Sequence, residues 1–140
     1  MLQAAVEGLE VGAGDASAGV LGVSVLTSLA KPDLERVGIQ RSPGQLVGKM
    51  AKVAAAARCE GLVCSPKELN VVAQAAPGLL RVTPGIRPTD VDDDQARTAT
   101  PSDAIEKGAS LLVIGRPITQ AADPAAAAAA ILADITRSRS

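Results

Sequence analysis

The 140-residue sequence contains no phenylalanine, tyrosine, tryptophan or histidine. Without aromatic rings there is no platform on which the bases of a single-stranded nucleic acid could stack. Without histidine, and with no G-x-S-x-G motif, serine-nucleophile hydrolysis has no base and no elbow. The two cysteines, Cys59 and Cys64, do not form a C-x-x-C pair and no second ligand pair exists, so structural zinc is not expected. Both read as small buried hydrophobes, and their scarcity fits a reducing cytosol. Net charge is −1, with no basic block, so a nucleic-acid surface is not expected. No stretch approaches the ~20 apolar residues of a membrane span. The Ala125–Ala130 run is too short and continues into Asp134. Residues 1–20 carry neither a basic start nor an apolar signal segment. The expectation is a cytoplasmic chain with no membrane or nucleic-acid partner.

What is present is apolar and regular. Hydrophobic residues make up 47% of the chain, which places it among globular proteins and, at this length, as one domain over residues 1–140. Met1–Glu10 reads as a short helix without an N-cap, the appearance of a fragment of something longer. A Gly/Ala/Ser/Asp loop over Val11–Gly19 follows. Val20–Leu26 is an apolar run of strand length, followed by Thr27 and Ser28. Lys31–Gly38 holds a helical turn. Ser42-Pro43-Gly44-Gln45 carries the cap, proline and capping-box order of a helix start, and Leu46, Met50, Val53 and Ala57 define the expected buried stripe. Gly61–Cys64 is the next strand, and Ser65-Pro66-Lys67-Glu68 repeats the helix-start pattern. Leu79–Val82 is the third strand, leading into Thr83-Pro84-Gly85-Ile86-Arg87-Pro88. A polar loop with Asp90, Asp92, Asp93, Asp94 and Gln95 comes next. Thr100 caps another helix, closed by Gly108. Ser110–Ile114 is the fourth strand, and Asp123-Pro124 opens the last helix, with Ile131, Leu132 and Ile135 on its apolar side.

Four strand–loop–helix units predict an α/β fold with a parallel sheet and right-handed crossovers. The continuous apolar strands predict burial on both faces. Each strand runs into a polar or special residue: Thr27, Ser65, Thr83-Pro84 and Gly115-Arg116. In an α/β barrel these strand ends form the functional face, often with phosphate held after the last two strands. The stretch Leu111–Thr119, LLVIGRPIT, fits such a role. Gly115 lets the backbone come close to a ligand, and Arg116 offers a planar fork of donors matched to phosphate. The plainer reading is a strand, a turn and a surface arginine. The Asp90–Asp94 cluster lacks the glycine and terminal glutamate of a calcium loop, so no metal site is expected there. Cys64, at a strand end, is read as packing.

Taken together, VSVLTSL at Val23–Leu29, GLVCSPKE at Gly61–Glu68, RVTPGIRP at Arg81–Pro88, DDQARTATP at Asp93–Pro101 and VIGRPIT at Val113–Thr119 resemble the orotidine 5′-phosphate decarboxylase family, in the family's order. DPAAA at Asp123–Ala127 fits that family's closing helix. The resemblance implies the C-terminal half of a (β/α)8 barrel, strands five to eight, in a homodimeric enzyme that converts orotidine monophosphate to UMP without metal or organic cofactor. It further implies that Arg116 and the Gly115–Arg116 backbone hold the phosphate. Gln95 would reach over the ligand, Thr27 with Ser28 would contact the base edge, and Pro84 would lie against the base. The family's D-x-K-x-x-D motif, the seat of its chemistry, is nowhere in this sequence; no catalytic residue is assigned. Lys31 alone among the lysines falls near a strand's C-terminal end. Three functions stay open: a decarboxylase homologue represented by its phosphate-binding half, a half-barrel that binds UMP-like nucleotides without turnover, and a scaffold without ligand. Homodimer or higher association is expected because two sheet edges are left open.

Overall fold

In the computed structural model, which describes residues 1–12, 18–88 and 98–137, four parallel strands lie side by side in chain order. They are β1 (Leu21–Val23), β2 (Gly61–Val63), β3 (Leu80–Thr83) and β4 (Leu111–Leu112). Parallel neighbours cannot be joined by hairpins, so helices fill every crossover. The helices are α1 (Leu2–Gly12), α2 (Lys31–Arg36), α3 (Pro43–Ala56), α4 (Leu69–Ala75), α5 (Pro101–Glu106), α6 (Arg116–Thr119) and α7 (Pro124–Arg137). Leu21, Gly61 and Leu80 stand in one row, and Val23, Val63, Val82 and Leu111 in another two residues on. Both rows face the same way, because side chains alternate along a strand. Leu62, Cys64, Thr83 and Leu112 point to the opposite face.

That opposite face carries the helices and the core. Leu62 and Cys64 from the second strand meet Val47, Ala51 and Ala54 of α3 and Leu69 and Val72 of α4 in one buried cluster. With no aromatic ring to fill space, the layers close by approaching tightly. A Cβ added at Gly22 would sit 3.3 Å from that of Ala54, and one at Gly48 would sit 3.1 Å from Val71. Within the sheet itself, on the other face, a Cβ at Gly61 would stand 2.6 Å from the Leu80 carbonyl oxygen of the neighbouring strand.

Several sequence expectations are met and several are corrected. Ser42 accepts from the Gln45 amide at 3.3 Å while Gln45 returns a bond to the Ser42 amide at 3.1 Å. Thr100 and Asp123 accept from the Asp103 and Ala126 amides and so cap α5 and α7, and Gly108 leaves α5 at φ +91°. The Ser65 start differs: Pro66–Glu68 forms a 3-10 turn, and the Ser65 hydroxyl donates to the Glu68 carboxylate instead of capping an amide. The α3 stripe is rotated from its expected position. Val47, Ala51 and Ala54 are fully buried, Leu46 and Met50 flank them, and Val53 is 60% exposed. Only small residues fit where the helix lies closest to the sheet, so size decides the facing side. Just past Val23, the Ser24 amide and hydroxyl both donate to the Val63 carbonyl, at 3.1 and 2.6 Å, and the chain then bends.

The expectation of burial on both faces is also corrected. The face away from the helix-side core keeps Leu21 41%, Val23 58%, Leu111 55% and Val113 50% exposed. The continuous apolar pattern is present, but on this face Val82 is buried while these four side chains stay bare.

Candidate functional site

Parallel pairing places all four strand C-termini at one end, and the expected site residues gather there according to strand order. The pairing of the third and fourth strands runs on past β4, with the Val113 amide donating to the Thr83 carbonyl at 2.9 Å. Pro84 and the Gly115-Arg116 pair thereby leave neighbouring strands side by side. Pro84 is half-buried, while Gly115 and Arg116 are exposed. Arg116 opens the four-residue α6, where sequence reading expected only a turn. The Gly115 carbonyl accepts from Ile118 and Thr119 at 2.9 and 3.0 Å and so anchors that turn of helix. Gly115 has φ −105°, and a Cβ added to it would meet open space. The protein's own packing therefore does not require glycine at this position.

Thr27 and Ser28 follow the first strand, in a turn closed by the Leu29 amide on the Leu26 carbonyl at 3.0 Å. Thr27 is half-buried and Ser28 exposed. They occupy the same end of the sheet as Arg116 but its opposite edge, three strand spacings or roughly 14 Å away across the sheet. The structure thus brings Pro84, Gly115 and Arg116 together and leaves Thr27 and Ser28 apart from them. Gln95 and the Asp90–Asp94 cluster lie outside the described residues. Among the described residues, no three histidine, cysteine, aspartate or glutamate side chains gather to hold a metal ion. No described helix is long and apolar enough to cross a membrane.

A buried polar layer beneath the strand ends escaped the sequence reading. Ser24, Ser65, Glu68 and Thr83 are all buried. Ser65 and Glu68 satisfy one another, and the Thr83 hydroxyl has no hydrogen-bond partner. Cys64 adjoins this layer, and its thiol is pushed up to about 11, first by burial and then by the nearby Glu68 carboxylate, against a smaller opposing pull from Arg81. A thiol so far above neutral pH stays protonated and is a poor nucleophile, in keeping with a packing role. The Ser-x-x-Glu spacing signalled a capping box, which hid the burial of both side chains. Arg81 ties the third strand to the fourth: its Nε donates to the Gly108 carbonyl at 2.6 Å, and its amide donates to the Ser110 hydroxyl at 3.1 Å.

Comparison with known proteins bears on family and fold. The family model described as Orotidine 5'-phosphate decarboxylase / HUMPS family matches residues 1–131. The orotidine 5'-phosphate decarboxylase of Pseudomonas aeruginosa (strain LESB58) is 49% identical over 117 residues, which are 83% of this chain and 50% of that protein. The Pseudomonas putida (strain GB-1) enzyme is 48% identical over the same shares. Among solved structures, orotidine 5'-phosphate decarboxylase from Lactobacillus acidophilus superposes with a TM-score of 0.79 at 36% identity, covering 96% of this chain and 58% of that one. The enzyme from Sulfolobus solfataricus, at 18% identity and TM-score 0.68 over 96% of this chain and 54% of that one, shares the fold. The chain spans about half the length of the curated relatives it matches, and its four strands and covering helices correspond to about half of a (β/α)8 barrel. On sequence, on fold and on the match across residues 1–131, the chain belongs to the orotidine 5'-phosphate decarboxylase / HUMPS family.

Proposed function

We propose that this chain is the phosphate-holding half of a decarboxylase-type barrel, serving conversion of orotidine monophosphate to UMP only together with an Asp/Lys catalytic array that its sequence does not contain. The observation that carries the reading is the exposed Arg116 at the strand ends, beside Pro84 and behind a glycine that internal packing does not demand. An arginine fork can grip two phosphate oxygens at once, and a backbone without Cβ leaves room for the ligand to approach its amides. Remote binding of this kind accelerates a reaction only when reacting groups are present to use it. In the family that the chain resembles, those groups sit on D-x-K-x-x-D, a motif absent here. The chain by itself therefore binds without turning over.

Titration by NMR or calorimetry tests the reading. UMP is expected to bind weakly and uridine not at all. Arg116→Lys should weaken UMP binding several-fold, because a point charge lacks the bidentate fork. Gly115→Ala should weaken it at unchanged stability. Equal binding of UMP and uridine would contradict a phosphate-led site. Orotate absorbance should stay constant when orotidine monophosphate is added to the chain alone. A second reading, a half-barrel whose role is nucleotide binding without chemistry, is favoured by the same missing motif. Supplying the other half of a relative's barrel separates the two: gain of turnover supports the first reading, and unchanged binding without turnover supports the second.

A further inference from the structure

We propose that the groove between α3 and α4, on the outer side of the helix layer, is a binding site for a small organic diphosphate of the size of a nucleoside diphosphate. The inference rests on other residues than the strand-end reading above and is independent of it. The groove encloses about 380 Å³ and is walled by Gln45, Lys49 and Lys52 of α3 and by Val71, Gln74 and Ala75 of α4. That volume falls in the range of roughly 300–1,000 Å³ in which sites hold whole organic molecules rather than single ions.

Contrast in side-chain size builds the groove. Gly44 and Gly48 stand one turn apart on α3, opposite Val71 of α4; a Cβ added to them would lie 4.0 and 3.1 Å from its methyl groups. With no side chain between them, the two helices approach closely at the bottom. Gln45 and Lys49, each one position further along α3, rise beside this line of contact, and Lys52 follows a turn later. Val47, Ala51, Ala54 and Val72 of the same helices belong to the buried cluster, whereas Gln45, Lys49, Lys52 and Gln74 are exposed. The groove therefore opens to solvent over a floor of half-buried Val71 and Ala75.

The charge on this groove is of one sign. Lys49 and Lys52 are neighbours on the helix surface, with Cβ atoms roughly 5–6 Å apart. Among the described residues neither lysine forms an ion pair. Neither α3 nor α4 contains an aspartate or glutamate, and Glu68, just before α4, is buried and bonded to Ser65. Gln45 already accepts from the Ser42 amide through Oε1, at 3.1 Å, which leaves its amide group to act as a donor. Two ammonium groups and an amide donor, with no carboxylate among them, select an anion. Side by side on flexible stems, the ammonium groups suit two linked phosphoryl groups, and the apolar floor takes the less polar body of the ligand.

Amide-resolved NMR titration of the chain tests this, with ADP, inorganic pyrophosphate and adenosine as probes. The same titrations on Arg116→Ala separate a shift at the groove from one at the strand ends. ADP should move the amides of Gly44, Gly48, Lys49, Lys52 and Gln74 in both proteins, with pyrophosphate binding more weakly and adenosine silent. Added salt should weaken ADP binding, because both lysines are exposed and screened. Lys49→Gln and Lys52→Gln should each weaken it about three- to tenfold, and the double variant should abolish it with an unchanged circular dichroism spectrum. No groove shift at millimolar ADP, the same shifts with adenosine, pyrophosphate binding as tightly as ADP, loss of the groove shifts in Arg116→Ala, or ADP binding that survives the double variant would each overturn the proposal. The wild-type shift map with the three probes decides the matter even if a variant does not fold.

Discussion

Cys64 shows how much a single side chain can report. It is 1% exposed, its thiol is raised from 9.0 to about 11, and burial is the main cause. In the unfolded chain the thiol loses its proton first, so between about pH 9 and pH 11 the folded state holds the extra proton. Stability is therefore complete below about pH 9 and declines as pH rises through that window, by on the order of 2 kcal/mol. Urea midpoints at pH 8 and pH 10.5 should show the loss, and Cys64→Ala should flatten it. The same burial predicts that alkylation of Cys64 at pH 8 tracks unfolding rather than the native state. Its neighbours illustrate the limits of motif reading. Ser65 and Glu68 stand at capping-box spacing, yet the hydroxyl is used on the buried carboxylate, since a charged group is buried favourably only where it is hydrogen-bonded.

At the scale of elements, the helices are governed by caps and the layers by small residues. Ser42, Thr100 and Asp123 were legible as caps from sequence because the capping geometry is local. The facing side of α3 was not. Ala51 and Ala54 are fully buried and Val53 is 60% exposed, an arrangement set by the distance between layers. Glycines divide along the same line. Gly61→Ala should destabilise the chain by about 2–3 kcal/mol, or prevent folding, since the new methyl meets a backbone oxygen that cannot move aside. Gly8→Ala, in the interior of α1 with nothing within 4 Å of the added atom, should instead stabilise it by about 0.5–1 kcal/mol. Denaturant midpoints of the two variants should move in opposite directions.

For the whole molecule, the governing fact is a sheet whose helix side is buried and whose other side is covered only in part. Helices bury Leu62, Cys64 and their neighbours, while Val23 and Leu111 stay bare. The four strands correspond to about half of a (β/α)8 barrel, so supplying the other half of a relative's barrel should raise the unfolding midpoint by several degrees as the bare side chains are covered. Calorimetry of the chain alone and of the mixture measures this.

Sequence alone determined the parallel α/β class, the order of the units, three of the helix caps and the family, because those depend on local spacing and on motifs that are contiguous in the chain. It also placed Pro84, Gly115 and Arg116 at strand ends. Tertiary structure decided which of these meet: Pro84 and Arg116 leave adjacent strands, whereas Thr27 stands at the far edge. It decided, too, that Glu68 is buried and that Val23 and Leu111 stay bare while Val82 beside them is buried. The physical reason is that an apolar strand pattern states how much surface must leave water, while only the arrangement of layers determines which surface finds a partner within the same chain.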